Sequence, residues 1–318
     1  MATNNFKPFA TGAGANVMSQ ADWEALTALL TGFQSGKAAS AQVNKALRQG
    51  TVMASVIGQF IADSTGQDVL DNGNTSVVLT NFLNALKANT NGRLLNVRTF
   101  TASGTYTPTA GTKKIRVRIV GGGGAGGGAA ASTSSGTLAA GHGGSAGTYG
   151  ETGLIDVSSL SSVAVTVGSA GTSSAGGNGT SGGASSFGTF ISAPGGDGGK
   201  YGASGTATFS LVPYLNQTGD CSGSSVLLNV PGEGGWGQMS FATGTAGGTT
   251  ASSSAKGGRG GNSVLGGGGH ALVINSVPGS GTGYGAGGAG AATTYVNGTT
   301  AVAGGAGSSG IVIIEEYA

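Results

Sequence analysis

The residues that could perform acid–base, nucleophilic or metal chemistry are few in this chain and far apart. His142 and His270 stand in glycine-rich stretches with no Glu or Cys at metal-ligand spacing, so we expect loop histidines and no metal. Cys221 is the single cysteine and has no recognisable sequence relation to either histidine, which favours an inert thiol. The acids of the second half are scattered singly, so spacing proposes no pair for glycoside hydrolysis, although a fold could bring two together. They are Glu151, Asp156, Asp197, Asp220 and Glu233.

Two glycine motifs resemble nucleotide-binding loops. Gly283, Gly285 and Gly288 match G-x-G-x-x-G, but a chain with 68 glycines contains such matches by chance, and no strand-then-helix context flanks this one. Residues 32–38, GFQSGKA, have one residue too few between the glycines for a phosphate loop. Ala38 also stands where a Ser or Thr would bind magnesium. We therefore expect no nucleotide and no other cofactor.

Large side chains placed among small residues form the candidate binding site. Tyr and Trp give a large contact area at low entropy cost, as a recognition surface requires. The alternative is that they fill gaps in a region poor in side chains, and binding is favoured for the loop from Trp236 to Phe241. The candidate receptor-binding residues are Tyr201, Phe209, Tyr214, Trp236, Met239, Phe241 and Tyr284.

These candidates must be positioned by a β frame that begins at Lys113–Gly128, KKIRVRIVGGGGAGGG. Its apolar and basic residues alternate with the period of a half-buried strand before the run of glycine. The chain ends in a second β-branched run, residues 311–314, and we expect the two runs to be neighbouring strands that close the domain. Further strands are predicted over residues 97–106, 154–157, 163–167, 185–191, 226–230 and 271–277.

Glycine tracts occupy the space between these strands. Runs such as 121–124 break the three-residue period of collagen, which is thereby excluded. Such tracts are either flexible connectors or polyproline II helices that pack side by side. The second option is favoured, because a head with five disordered tracts would have little ordered structure left. The tracts are 121–128, 176–183, 195–205, 257–269 and 283–290.

The first 95 residues predict a different kind of structure. Residues 1–18 show no periodicity and are expected to form an extended arm that docks elsewhere or frays. Ser19 is the expected cap of a helix through Trp23 and Phe33, and further helices are expected from Ser40 and from Asn74 or Thr75. The apolar stripe of the second helix, residues 43–61, favours self-association over a single-chain bundle.

The sequence thus predicts an α+β protein with an arm (1–18), a helical anchor and oligomerisation region (19–95) and a glycine-rich β head (96–318). Only 8% of residues are charged and the net charge is +2, so we expect no nucleic-acid partner. The N-terminus lacks the pattern of a secretory signal, and the longest apolar stretch is too short to span a bilayer. We therefore expect synthesis and assembly in a cytoplasm.

Both ends of the chain resemble a known family. NNFKPFATGAGANVMSQADW followed by SAQVNKALRQ resembles the leader of tail fibre proteins from phages and prophages of Gram-negative bacteria. TFTASGTYTPTAGTKKIRVRIVGGGGAGG and GGAGSSGIVIIEEYA are similar to the glycine-rich C-terminal domain of many such fibres. The resemblance implies a homotrimer in the virion tail, attachment to tail or baseplate proteins through residues 1–40, and a distal domain that binds a host surface molecule.

The expected function is therefore that of a tail fibre or tail-tip adhesin, not an enzyme, which binds an outer-membrane protein or a surface glycan. Two alternatives stay open. One is a depolymerase that cleaves surface polysaccharide with acids from adjacent subunits, and the other is a purely structural virion component.

Overall fold

A computed structural model describes residues 2–33, 39–90, 92–206, 209–211, 218–243, 252–271, 277–296 and 299–318. The chain forms two compact units, Met1–Arg93 and Leu94–Ala318. Helices precede a set of antiparallel sheets, so the predicted α+β class is confirmed. No helix in the described ranges has the length and hydropathy of a transmembrane segment. The second unit is called the head below.

The helices of the first unit are α1 (Gln20–Glu24), α2 (Ala28–Thr31), α3 (Ser40–Thr65) and α4 (Thr75–Asn89). Two predicted caps are confirmed, because Ser19 accepts a hydrogen bond from Asp22 N and Asn74 accepts one from Val77 N. The predicted continuous helix from Ser19 to Phe33 is wrong. Leu26 N bonds to Trp23 O, an i to i−3 contact that tightens the turn and separates α1 from α2.

The core of this unit is small and includes part of the N-terminal arm. Ile61, Ala62, Val69 and Ala85 are buried between α3, α4 and their connection. Asn4 is buried as well: its Nδ2 donates to Ser55 O of α3 at 2.9 Å. The first residues of the arm therefore lie on the chain's own helices and are not free.

The head begins with two antiparallel sheets, which we call the frame. The six-stranded sheet contains β1 (Leu94–Phe100), β15 (Ile311–Tyr317), β3 (Lys114–Val120), β5 (Tyr149–Thr152) and β11 (Val226–Val230) in that order, with β6 (Ile155–Asp156) also paired to β3. The four-stranded sheet contains β2 (Gly104–Tyr106), β7 (Val163–Thr166), β8 (Ser185–Phe187) and β9 (Ile191–Ala193). The predicted pairing of the two end strands is confirmed, since Ile311 lies opposite Val120 and Ile314 opposite Val117.

The alternating apolar and basic residues of β3 lie on opposite faces of the six-stranded sheet. Ile115, Val117 and Ile119 are fully buried in the apolar core, which also contains Phe187 and Ile191 of the four-stranded sheet. On the other side Arg116 pairs with Glu151, and Arg118 pairs with Glu315 at 2.8 Å. The arginines between the apolar residues thus keep the outer face of this sheet charged, and the apolar residues on the inner face pack in the core.

Two strand predictions differ from the structure. The run 97–106 was expected to be one strand, but β1 and β2 belong to different sheets, because residues 101–103 turn the chain from one sheet to the other. Likewise 185–191 was expected to be continuous, whereas β8 and β9 form a hairpin around Gly188, whose positive φ of 48° fits a turn. The predicted strand 271–277 lies largely outside the described residues.

Glycine tracts continue from the frame as a packed lattice. Along residues 121–129 successive N–H groups donate in rotation to three antiparallel tracts, with N···O distances of 2.8 to 3.0 Å. Each partner tract receives every third N–H group, which is the period of a polyproline II helix with three residues per turn. The acceptors are Thr148, Ser145 and His142 in the first tract, Gly183, Thr180 and Gly177 in the second, and Ser308, Gly305 and Val302 in the third.

Only glycine allows the tracts to lie this close. A Cβ on Gly121, Gly124 or Gly127 would stand 2.0 to 2.1 Å from a backbone carbonyl oxygen of a fourth tract, 194–202. Side chains are therefore excluded at these positions, and hydrogen bonds between backbones, with small buried residues such as Ala125 and Ala289, replace a core of large apolar side chains. Of the two options left by the sequence, packed polyproline II helices is the one that the structure adopts.

Two small sheets lie at the end of the lattice farthest from the frame, which we call the distal end. One pairs β4 (Leu138–Ala140) with β14 (Ala292–Thr294). The other contains β10 (Phe209–Leu211), β12 (Met239–Thr243) and β13 (Ser252–Lys256). They pack through Leu138, Ala140, Ala255 and Ala292, so small residues also form this junction.

Candidate binding surface

Two chain segments on the outside of the lattice form a ribbon, residues 233–239 and 256–262. They run antiparallel, with Trp236 N donating to Arg259 O at 2.8 Å and Met239 facing Lys256 in the β12–β13 ladder. The glycines at 234, 235, 257, 258, 260 and 261 are buried in the lattice, and the larger residues between them face solvent. Trp236 is 50% exposed and Met239 is 41% exposed.

The ribbon presents side chains at every third position of both segments. Outward residues at this spacing are expected of polyproline II backbone, in which three residues complete one turn. Three facing pairs result, namely Glu233 with Asn262, Trp236 with Arg259, and Met239 with Lys256.

Hydrogen bonds fix the indole of Trp236. Its Nε1 donates to Glu233 Oε1 at 3.0 Å, and Glu233 Oε2 accepts from Asn262 N at 2.8 Å and from Asn262 Nδ2 at 2.5 Å. Arg259 Nη2 donates to Asn262 Oδ1 at 3.2 Å. Burial opposes ionisation of Glu233, but the bonds from Trp236 and Asn262 outweigh it and lower its pKa. The polar edge of the indole is thus occupied, and the ring is exposed in one held orientation.

Charge on the ribbon is dominated by its cations. Lys256 and Arg259 are exposed, and within the described residues neither forms an ion pair. The Glu233 carboxylate is half-buried and bonded within the ribbon. The outer face therefore offers an aromatic ring, a thioether and two positive charges to a partner.

The predicted loop from Trp236 to Phe241 is partly a strand, because Met239 and Phe241 belong to β12. Phe241 and the remaining predicted residues lie outside the ribbon, and Phe241 stands opposite Phe209 of β10 in register. Tyr201 is 46% exposed at the distal end, where its N–H donates to Asn178 Oδ1. Tyr284 is half-buried against the Val120, Tyr149 and Ile311 cluster of the frame, so it fills a gap there. Tyr214 lies outside the described residues.

A small cleft at the distal end is lined by β4, by residues 203–206, and by Gln238 and Ser240. Its volume is about 140 Å³. Sites for drug-sized ligands usually enclose about 300–1,000 Å³. This cleft is therefore too small for a ligand of that size.

Several of the acids considered for catalysis have structural partners. Glu151 accepts from Arg116 and Tyr149, and Asp220 accepts from Asn229 Nδ2 at 2.7 Å. Burial, with the nearby Asp220 carboxylate, raises the pKa of the Cys221 thiol to about 11. Burial and the charge of Lys200 lower the pKa of His142. Across the described ranges no three His, Cys, Asp or Glu side chains group as metal ligands.

The glycines that match the dinucleotide motif lead into the lattice. Gly283 and Gly285 have positive φ values of 69° and 71° and turn the chain into the tract 285–291. That tract donates to carbonyls of neighbouring tracts, as Gly288 N does to Gly124 O at 2.9 Å.

Sequence reasoning missed Lys256, Arg259 and Asn262, which face Met239, Trp236 and Glu233 respectively. A usable signal was present, because Glu233, Trp236 and Met239 are separated by three residues each, as are Lys256, Arg259 and Asn262. That spacing has meaning only once the backbone is known to have three residues per turn.

Comparison with known proteins gives one positive finding. A search of curated proteins produced no match. The model of the glycine-rich domain matches residues 99–317, which is more than half of the chain and includes the frame, the lattice and the ribbon. The chain therefore belongs to the glycine-rich domain family.

Proposed function

We propose that this protein is a phage tail fibre or tail-tip adhesin whose head binds a bacterial surface receptor. The observation that carries the proposal is the exposed Trp236 ring, held by Glu233 on an outer segment of the lattice. A ring that is already oriented loses little entropy on binding, and Trp and Arg are the residues that most often dominate interfaces. The resemblance of both chain ends to tail fibres supports the same role and a location in the virion.

The helical unit supports the anchoring and self-association part of the proposal. Apolar side chains on the outside of α3 and α4 are exposed at helical spacing, which is unusual for a unit that functions alone. They are Met53, Val56, Ile57 and Phe60 on α3, and Leu79, Leu83 and Leu86 on α4. We propose that second and third copies of the chain cover them, and that tail proteins bind residues 1–40.

The trimer is tested by placing one charge in this apolar surface. Wild type is expected at about 90 kDa, three times the 30.1 kDa chain, in light scattering. Leu83 is exposed, so Leu83→Glu is expected to leave the single chain folded and to shift the mass towards 30.1 kDa, since burying a carboxylate between copies is costly. Asn84→Glu adds the same charge at the next position and should retain the trimer. A wild-type monomer at micromolar concentration would refute the trimer.

Receptor binding is tested with the full-length chain, fluorescently labelled, on a panel of Gram-negative cells. Wild type is expected to label some strains, and Trp236→Ala to reduce labelling by about tenfold or more, the loss expected of a hot-spot residue. Leu154→Ala removes an equally exposed apolar side chain from the frame and serves as the matched control.

Other outcomes identify the alternatives. Clearing of capsule by the purified protein would assign a depolymerase. If no strain is labelled and the protein does not compete with adsorption of intact phage, the adhesin proposal fails in favour of a structural component.

A further inference from the structure

We propose that the outer ribbon is a binding site for an acidic polysaccharide, which stacks on Trp236 and places its anionic groups against Arg259 and Lys256. The inference rests on the proposed adhesin function and names the class of its receptor. It depends on three properties of the ribbon: the spacing of its outward side chains, its positive charges, and the exposed apolar face of the Trp236 ring.

The period of the ribbon matches a repeating ligand. Trp236 and Met239 are separated by three residues, which is about 9 Å along a polyproline II backbone with a rise of about 3.1 Å per residue. Arg259 and Lys256 repeat with the same spacing on the facing segment. This distance is of the order of one disaccharide repeat. A linear glycan with at least one acidic group per repeat therefore meets an apolar side chain and a cation in each unit.

The charge of the ribbon selects an anionic partner. Lys256 and Arg259 have no ion-pair partner among the described residues, and the Glu233 carboxylate is held by Trp236 and Asn262. The pKa of Glu233 is lowered, so this carboxylate stays ionised and keeps its bond to the indole at neutral and mildly acidic pH. Carboxylate or phosphate groups on a sugar would pair with these two exposed cations.

The bond between Trp236 and Glu233 determines how a ligand can use the indole. Because Nε1–H already donates to Glu233 Oε1, the ring offers an apolar face and no donor. Such a face binds a flat apolar surface, and the C–H face of a pyranose ring is one. Because Glu233 positions the indole, replacing Glu233 should weaken binding even though the aromatic ring is still present.

The test measures binding of the full-length chain to hyaluronate, polygalacturonate and polysialate by titration calorimetry. Each polymer is compared with its carboxyl-reduced form, which keeps the sugar rings and loses the charge. Binding is expected to at least one acidic polymer, to fall about tenfold or more after carboxyl reduction, and to weaken as salt rises. Trp236→Ala and the double variant Lys256→Ala, Arg259→Ala should each lose about tenfold in affinity, and Glu233→Gln should lose less.

The matched control is Lys113→Ala with Lys114→Ala, which removes two exposed positive charges from the frame and should leave affinity unchanged. Absence of binding to all three polymers, or equal binding to reduced forms, overturns the proposal. If cells are labelled but protease treatment of the cells abolishes labelling, the receptor is a protein and only this inference fails. If the acidic polymers bind through these residues but no cell is labelled, the inference stands and the adhesin proposal fails.

Discussion

Gly124→Ala is expected to destabilise the head by about 3 kcal/mol or more, the upper range for overpacking of a well-packed interior. The new methyl group would stand 2.1 Å from Asp197 O, and this atom belongs to backbone that is itself fixed on both sides. Separating this tract from the tract 194–202 to admit it would stretch the bonds from Gly196 N to Gly122 O and from Gly199 N to Ala125 O, each 2.8 Å long. A domain with about 5–15 kcal/mol of stability would lose much of it.

The measurement is hydrogen exchange of the lattice amides combined with thermal unfolding, because a chain with two units need not unfold in one step. Gly153→Ala is the control within the same head, since a Cβ there meets nothing within 4 Å and its φ is not positive. It is expected to change stability by no more than about 0.5 kcal/mol. Equal protection of the tract amides in Gly124→Ala and wild type would show that the lattice does not need glycine at this position.

Glu316→Ala is expected to destabilise the frame by about 3 kcal/mol or more, because it leaves three buried or half-buried donors without their acceptor. The carboxylate is fully buried and accepts from Tyr106 Oη at 2.8 Å, Thr109 N at 3.0 Å and Thr109 Oγ1 at 2.6 Å. Tyr106 belongs to the four-stranded sheet and Glu316 to the six-stranded one, so these bonds join the two sheets.

The neighbouring Glu315 is the matched control. Its side chain is 18% exposed, and its carboxylate accepts from Arg118 of the neighbouring strand and from Tyr317 Oη. Both bonds lie towards solvent on the outer side of the sheet, where an ion pair contributes about 0–1 kcal/mol, so Glu315→Ala should cost clearly less free energy of unfolding than Glu316→Ala. A comparable loss in both variants would mean that burial of Glu316 has no special role.

The Glu316 contribution is also expected to depend on pH. Burial opposes ionisation, yet the hydrogen bonds from Thr109 and Tyr106 outweigh it and lower the pKa of Glu316 below its ordinary value. Its stabilisation is therefore fully present above the unfolded-state pKa of about 4.3 and is lost as pH falls through the lowered folded-state value. The difference in free energy of unfolding between wild type and Glu316→Gln should stay constant from about pH 8 to about pH 5 and shrink in stronger acid. A constant difference at all pH values would contradict this assignment.

Several local features of the fold follow from short stretches of sequence. Ser19 and Asn74 are helix caps because their side chains satisfy the N–H group three residues on, which depends on no distant contact. The alternation of Ile115, Val117 and Ile119 with arginine likewise predicts a half-buried strand. Its antiparallel neighbour, the run 311–314, could be inferred because few other segments have enough β-branched residues to pair with it.

The sequence by itself determined the α+β class, the pairing of β3 with the C-terminal strand β15 and the presence of exposed large residues among glycines. Only the tertiary structure decided that the tracts are packed polyproline II helices, because the N–H groups of a tract such as 121–129 donate to three segments up to about 180 residues away. The same holds for the ribbon: Trp236 meets Arg259, and Met239 meets Lys256, through a register that the lattice imposes. Glycine has no side-chain pattern to read, so the partner of each tract is specified by backbone hydrogen bonds and close approach, which appear only in the folded chain.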